Sequence, residues 1–357
     1  MQVREAIARM GTYNPPLEGR DPEQHLLMDF NESPLPPPTS VLEAIQGYLS
    51  QQRLHLYPSY GNFLENLAEY AQVSPESLIL TNGSDQGIEL VMRCLLEPGD
   101  QVLMARPGFA MFAQVAGTLG AHLCGPEFPP QDFRYPLEQV KASVSPQTRM
   151  IVVINPNNPT GTVVPLEQIA DLLQNFPNHA IVVDEAYFEF NGLSAVPLLR
   201  EFPNLILLRT FSKAFALPGL RLGYVIARPD FIEHLYKIRG PYDVNSLSVV
   251  AGSAVLEALP EIQGRVQHLM QVAKPALEAF FQEEQVRHFP GGANFLLVQP
   301  PDVAAALAYL KDHGILVRPM RPPIEQTFRM NLRMLPDVEH FMEVFRGYLR
   351  SVPRKAA

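Results

Sequence analysis

Cysteine is scarce in this 357-residue chain: only Cys94 and Cys124 occur, each in an apolar context and neither at a metal-ligand spacing. No disulfide framework organises such a chain, and two buried, reduced thiols are expected. The nine histidines are scattered, without His-x-His, His-x-x-His or His-Glu-x-x-His groupings, so no metal site is expected. No apolar run approaches the ~18 residues of a membrane span. Positive charge is in deficit, with 28 Lys and Arg against 37 Asp and Glu, and the net charge of -9 is spread without long like-charge blocks. That pattern carries neither a nucleic-acid footprint nor a membrane-surface patch. An acidic chain that binds anionic ligands must gather its arginines locally. The first thirty residues contain Arg4, Glu5 and Arg9 and no continuous apolar core. They do not read as a signal peptide, and a cytoplasmic protein is the expectation. Internal repeats are also absent.

What the chain does have is a series of short apolar runs that turn polar at their C-terminal ends. Leu205 to Leu208 reads as a buried strand and gives way to Thr210, Ser212 and Lys213; Arg221 follows beyond a Pro218-Gly219 turn. Met150 to Ile154 ends in Asn155-Pro-Asn-Asn-Pro-Thr-Gly161, and Ala180 to Val183 ends in Asp184-Glu-Ala-Tyr187. In an open parallel α/β sheet, ligands bind outside the carboxyl ends of the strands, so Asn158, Asp184, Tyr187 and Lys213 are expected to converge. Hydroxyls, an amine and a guanidinium at one strand end suit a phosphate and an electrophilic carbonyl carbon, the equipment of a pyridoxal phosphate site.

The order NPNNPTG, DEAY, SKAFALPGLRLGY resembles the fold-type I pyridoxal-phosphate-dependent aminotransferases. Asn31-Glu-Ser-Pro34, Tyr57-Pro58, Asn82-Gly-Ser-Asp85 and Phe109 make it most similar to their histidinol-phosphate branch. The resemblance runs from about Tyr13 to Arg333. It implies an α/β fold with a mainly parallel central sheet in a large domain and a small α+β domain. The divisions expected are an N-terminal arm over residues 1–45 packing with the small domain, a cofactor-binding domain over 46–250 and a small domain over 251–357.

The resemblance also implies roles. Lys213 links to the cofactor aldehyde at rest and then moves a proton at the substrate α-carbon, for which burial and neighbouring cations must lower its pKa. Asp184 holds the pyridine nitrogen protonated; Glu185, next along the strand, points to the opposite side. Asn158 and Tyr187 hydrogen-bond the ring hydroxylate, and Phe109 stacks on the ring where tyrosine is usual. Thr210, Ser212, Arg221 and the helix start at Ser84 and Asp85 hold the phosphate. Tyr57 reaches the partner's cofactor across a homodimer, although Leu56 and Ser59 stand where arginine and aspartate are usual.

Substrate recognition is read from Phe328-Arg-Met-Asn-Leu-Arg333, a strand that places Arg329, Asn331 and Arg333 on one side. Planar guanidinium groups suit carboxylate and phosphate. Arg329 matches the family's substrate-anion arginine and Arg318 a second, while Arg333 departs from the small residue usual there. Tyr13 and Asn31 come from an arm expected to run extended because of its prolines. The reaction implied is amino transfer between the couples glutamate/2-oxoglutarate and histidinol phosphate/imidazole acetol phosphate. An aromatic amino acid aminotransferase and a threonine-phosphate decarboxylase are the alternatives on the same scaffold. A pyridoxal-phosphate-dependent transcription regulator would need a basic helix-turn-helix, and no room for one is read before Tyr13.

Overall fold

In a computed structural model that describes residues 1–352, the strands fall into two sheets. In chain order they are β1 (Leu26–Met28), β2 (Leu78–Asn82), β3 (Gln101–Met104), β4 (His122–Cys124), β5 (Thr148–Ile154), β6 (Ala180–Asp184), β7 (Leu205–Thr210), β8 (Leu222–Ile226), β9 (Arg287–Phe289), β10 (Phe295–Gln299), β11 (Ile315–Pro319) and β12 (Phe328–Asn331). The larger sheet has the order β2-β8-β7-β6-β5-β3-β4. β8 pairs antiparallel with both its neighbours, as its early return after Arg221 suggests, and the remaining pairs are parallel.

Both faces of this sheet are covered, so its strands are apolar throughout. Leu103, Ile151, Val153, Ile181, Val183, Leu205 and Leu207 pack into one core. Their alternates Val102, Met104, Val152, Ile154, Val182, Ile206 and Leu208 pack into another on the opposite face. The expected mainly parallel α/β architecture is therefore present, and it points the C-terminal ends of β5, β6 and β7 the same way.

The smaller sheet has the order β1-β11-β12-β10-β9. β1 comes from the N-terminal stretch and pairs in parallel with β11, Leu27 opposite Leu316. The long helical pattern after Ser246 breaks into helices Ser246–Glu257, Leu259–His268 and Lys274–Glu283, the last two joined by a π-helical turn over Leu269–Ala273. Pro260 sits in a first turn, where no helical N–H is lost, whereas Pro275 follows directly on the π-helical turn within a continuous helical stretch.

Two expectations need correction. The N-terminal stretch is not extended throughout, because Glu5–Ala8 forms one helical turn. Its residues precede the first proline, Pro15, and Met10 beyond it packs against Gly117. The last strand stops at Asn331 rather than running to Arg333. Arg333 instead donates from Nε to Asp337 Oδ2 at 3.1 Å, in the first turn of helix Leu335–Ser351.

Candidate active site

A cavity of about 450 Å³ opens where the larger sheet meets the smaller one. Asn158 follows β5, Asp184 ends β6, and Thr210 ends β7 with Ser212 and Lys213 just beyond; all five line the cavity. The crevice lies at the carboxyl ends of parallel strands, where loop chemistry varies over a fixed scaffold.

Lys213 is half-buried, and its Nζ donates to the carbonyl of Phe30 at 3.1 Å. Burial first, and then the Arg329 charge, lower its pKa to about 8, against weaker opposing effects of Glu32 and Asp85. A larger neutral fraction near neutral pH than an ordinary lysine has follows, and the neutral form is the one that attacks a carbonyl or accepts a proton.

Asp184 is buried and accepts one hydrogen bond, from the Ala186 N–H at 3.1 Å. Among the described residues no cation lies within ion-pair distance of it. Burial, reinforced by the charges of Asp85 and Glu185, raises its pKa to about 7 in spite of the Ala186 donor. Glu185 points away from the cavity into a buried pair with Arg209, whose Nε lies 2.8 Å from Glu185 Oε2. Asp184 is thus a carboxylate that lacks the cationic partner its neighbour has.

Tyr187 stands between the two sheets. Its hydroxyl accepts from Asn31 Nδ2 at 2.9 Å and from Asn158 Nδ2 at 3.5 Å, and burial pushes its pKa up. Asn31, from the N-terminal stretch, adopts φ 55° and is almost fully buried.

Across the cavity, helix Gly83–Leu95 begins directly after β2 and brings Ser84 and Asp85 to the wall. Arg221 donates from Nη2 to Asp85 Oδ2 at 2.7 Å. Gly83 has φ +74°, and a Cβ there would lie 2.5 Å from Arg221 Nη2, so the guanidinium reaches the helix start only because the residue is glycine. Thr210 donates from Oγ1 to Ser212 Oγ at 2.9 Å, and Phe109 lines the same cavity at the start of helix Ala110–Leu119.

From the smaller sheet come Arg318 and Arg329, which face each other as partners in the antiparallel β11–β12 ladder. Arg329 is buried; it donates to Asn158 Oδ1 and, at 3.0 Å, to the backbone oxygen of Asp29, while its Nε has no partner. Arg318 likewise leaves Nη1 without a partner and lies 5.0 Å from the Phe30 ring centroid. Among the described residues neither meets a carboxylate within ion-pair distance. Burial lowers both pKa values, that of Arg329 to about 10, with Tyr187 opposing and Arg318 adding to the fall. Like charges opposite one another on neighbouring strands are destabilising unless something offsets them, so this pair suits an anion.

Tyr13 also lines the cavity, whereas Arg333, expected there, is not brought to it. Arg333 is turned away by the end of its strand and paired with Asp337. Tyr57 is 76% exposed and stacks on Tyr242 with ring centroids 4.1 Å apart. In the other direction, the structure adds Phe30, Met320, Arg321 and Ile324 to the wall. Phe30 had a sequence signal, since it directly precedes Asn31. The other three lie between β11 and β12 in a loop without periodicity, where no pattern shows which side chains turn inward.

The sequence matches the family described as aminotransferase class I and II over residues 23–345. It is 35% identical over 297 residues to a histidinol-phosphate aminotransferase of Thermoanaerobacter sp. (strain X514), covering 82% of this chain and 83% of that one. The corresponding protein of Desulfitobacterium hafniense is 36% identical over 338 residues, with 90% and 91% covered. Among solved structures, the histidinol-phosphate aminotransferase of Sinorhizobium meliloti in complex with pyridoxal-5'-phosphate superposes with a TM-score of 0.88 at 23% identity, covering 99% of this chain and 98% of that one. With the fold, the family match and relatives above 30% identity in agreement, this chain belongs to the class I and II aminotransferases.

Proposed function

We propose that the chain is a pyridoxal-phosphate-dependent aminotransferase that passes an amino group between the couples glutamate/2-oxoglutarate and histidinol phosphate/imidazole acetol phosphate, the amine of one couple going to the ketone of the other, in histidine biosynthesis. The observation that carries the substrate assignment is the opposed pair Arg318 and Arg329, two guanidinium groups on the cavity wall without an acid partner among the described residues. Relatives with 35% and 36% identity bear the histidinol-phosphate name, which supports the same reading.

The residues fit the cofactor. Asp184 is a buried carboxylate without a cation, suited to a protonated ring nitrogen; Lys213 is an amine whose pKa is already depressed. The start of helix Gly83–Leu95 with Arg221, Thr210 and Ser212 offers N–H, guanidinium and hydroxyl donors for a phosphate. Phe109 offers a face for the ring. When bound, the cofactor supplies an electron sink for the pair released at the substrate carbon that bears the amine.

The side chains have separable tasks in this reading. Lys213 accepts and returns the proton at the substrate carbon, and its depressed pKa supplies the neutral amine this needs. Asp184 stays ionised beside a cation and fixes the ring's protonation. Asn158 and Tyr187 hold the ring oxygen, with Asn31 orienting the Tyr187 hydroxyl at 2.9 Å. Arg329 takes the glutamate carboxylate or the substrate phosphate, and Arg318 and Tyr13 add the contacts a dianion favours. Arg333 is assigned no contact with substrate.

A homodimer belongs to the same proposal, because the exposed Tyr57 is available to a second copy's cofactor site. So do the cytoplasmic location and the division into an arm (1–45), a cofactor domain (46–250) and a small domain (251–357). Purified holoenzyme supplied separately with histidinol phosphate, phenylalanine and threonine phosphate, each with 2-oxoglutarate, tests the function. Glutamate formed with histidinol phosphate supports it. Preferential turnover of phenylalanine or release of carbon dioxide from threonine phosphate overturns it; phenylalanine is included because Tyr13, Phe30 and Phe109 line the cavity.

A further inference from the structure

Arg20 lies outside the cavity wall, yet it governs the charge beside it. Its guanidinium grips Asp29 in a two-pronged contact, Nε to Oδ2 at 3.0 Å and Nη2 to Oδ1 at 3.0 Å. It also bonds Glu32, Nη1 to Oε1 at 3.5 Å, with a closer contact from Nη2 to Oε2. The Arg20 and Asp29 side chains are only 12% and 9% exposed, so solvent screens this pair weakly.

The four residues from Asp29 to Glu32 form a strap across the site. The Asp29 carbonyl accepts from Arg329, the Phe30 carbonyl accepts from Lys213, and the Asn31 amide donates to Tyr187. Both acids are thus carried on a segment already in contact with the site's cations. Around the Phe30 ring stand two guanidinium groups, Arg20 at 4.4 Å and Arg318 at 5.0 Å from its centroid. Arg20 holds two carboxylates, and among the described residues Arg318 holds none.

We propose that Arg20 is a positioning residue that sequesters Asp29 and Glu32, so that Arg318 and Arg329 remain open to the anion of the substrate. The inference rests on the anion-site role given to those two arginines above. Without Arg20, Asp29 and Glu32 are uncompensated carboxylates on a strap that touches Arg329, and each competes with a bound anion. The effect falls on substrate affinity more than on turnover, because Lys213 keeps its contact with the Phe30 carbonyl.

The test compares holoenzyme variants by calorimetric titration with inorganic phosphate and by KM for glutamate. Arg20→Met should weaken phosphate binding and raise the glutamate KM by about tenfold, the size of one charge-assisted contact, with a smaller change in kcat. Arg20→Lys should stay near wild type. The decisive variant adds Asp29→Asn and Glu32→Gln to Arg20→Met: removing the freed carboxylates should restore both values. A triple variant as impaired as Arg20→Met, or more so, would show that Arg20 is only a staple and would overturn the proposal. Should Arg20→Met fail to fold, Asp29→Asn/Glu32→Gln with Arg20 intact gives the opposite reading. It unpairs a third guanidinium beside the site and should tighten phosphate and glutamate binding, and unchanged or weaker binding overturns the proposal. The glutamate KM keeps this outcome distinct from failure of the assigned function, which would appear as no reaction with histidinol phosphate in the wild type.

Discussion

Arg318 and Arg329 sit directly opposite each other in the β11–β12 ladder, both lining the cavity and neither meeting a carboxylate among the described residues. A charged hydrogen bond contributes roughly 1.5–3 kcal/mol, so each guanidinium is expected to be worth at least tenfold in substrate recognition. Arg329→Ala should raise KM in both half-reactions, since the glutamate carboxylate and the phosphate share it. Arg318→Ala should act mainly on the phosphate substrate, and Arg333→Ala should change neither. Steady-state KM values for glutamate and histidinol phosphate in the three variants check this.

Lys213→Ala removes both the attachment point and the proton-transfer base. Loss of a general base alone lowers rate by about 10²–10⁴-fold, so turnover should fall at least that far. Borohydride reduction followed by peptide mass analysis provides the check. The wild type should carry the cofactor mass on the peptide containing Lys213, and label on another lysine would displace it from this role.

Asp184 gives a pH dependence with a definite sign. Its folded-state pKa is raised from 3.8 to about 7, so the cofactor-free folded chain binds more protons than the unfolded chain between those values. Stability of the cofactor-free protein therefore falls as pH rises from about 4 to about 7, by a few kcal/mol at most. Asp184→Asn should raise the thermal midpoint of the cofactor-free protein at pH 8 and leave it nearly unchanged at pH 4, while weakening cofactor binding. A lower midpoint at pH 8 would mean that the carboxylate already has a favourable partner.

Tyr57 lies 76% exposed, outside its own chain's cavity. If it completes the partner's site, mixing inactive Tyr57→Ala and Lys213→Ala subunits should restore part of the activity, because one site per mixed dimer then receives both groups. Absence of recovery, with Tyr57→Ala itself strongly impaired, would confine Tyr57 to its own subunit.

The parallel sheet was legible because its strands are apolar throughout and end abruptly in polar residues. Ile181 to Val183 before Asp184 and Leu205 to Leu208 before Thr210 mark buried strands with chemistry at one end. That local signal suffices to bring Asp184, Lys213 and Asn158 together. Arg333 was misplaced because alternation predicts a face only while the strand lasts. Here the Leu332 N–H still makes the next rung, to the Asn294 carbonyl at 2.7 Å, and the chain leaves the ladder before Arg333. Arg20 had no signal at all, since its contacts with Asp29 and Glu32 depend on how a proline-rich stretch folds back on itself. Its two carboxylates and the unpaired state of Arg318 and Arg329 are properties of tertiary structure, not of spacing.

The most direct test of the account is the ratio of kcat/KM for histidinol phosphate over histidinol, which differ only in the phosphate. Two guanidinium groups facing that phosphate predict a ratio of about 100-fold or more in the wild type, collapsing toward one in Arg318→Ala/Arg329→Ala. A wild-type ratio near one, or a large ratio that survives loss of both arginines, would contradict the assignment.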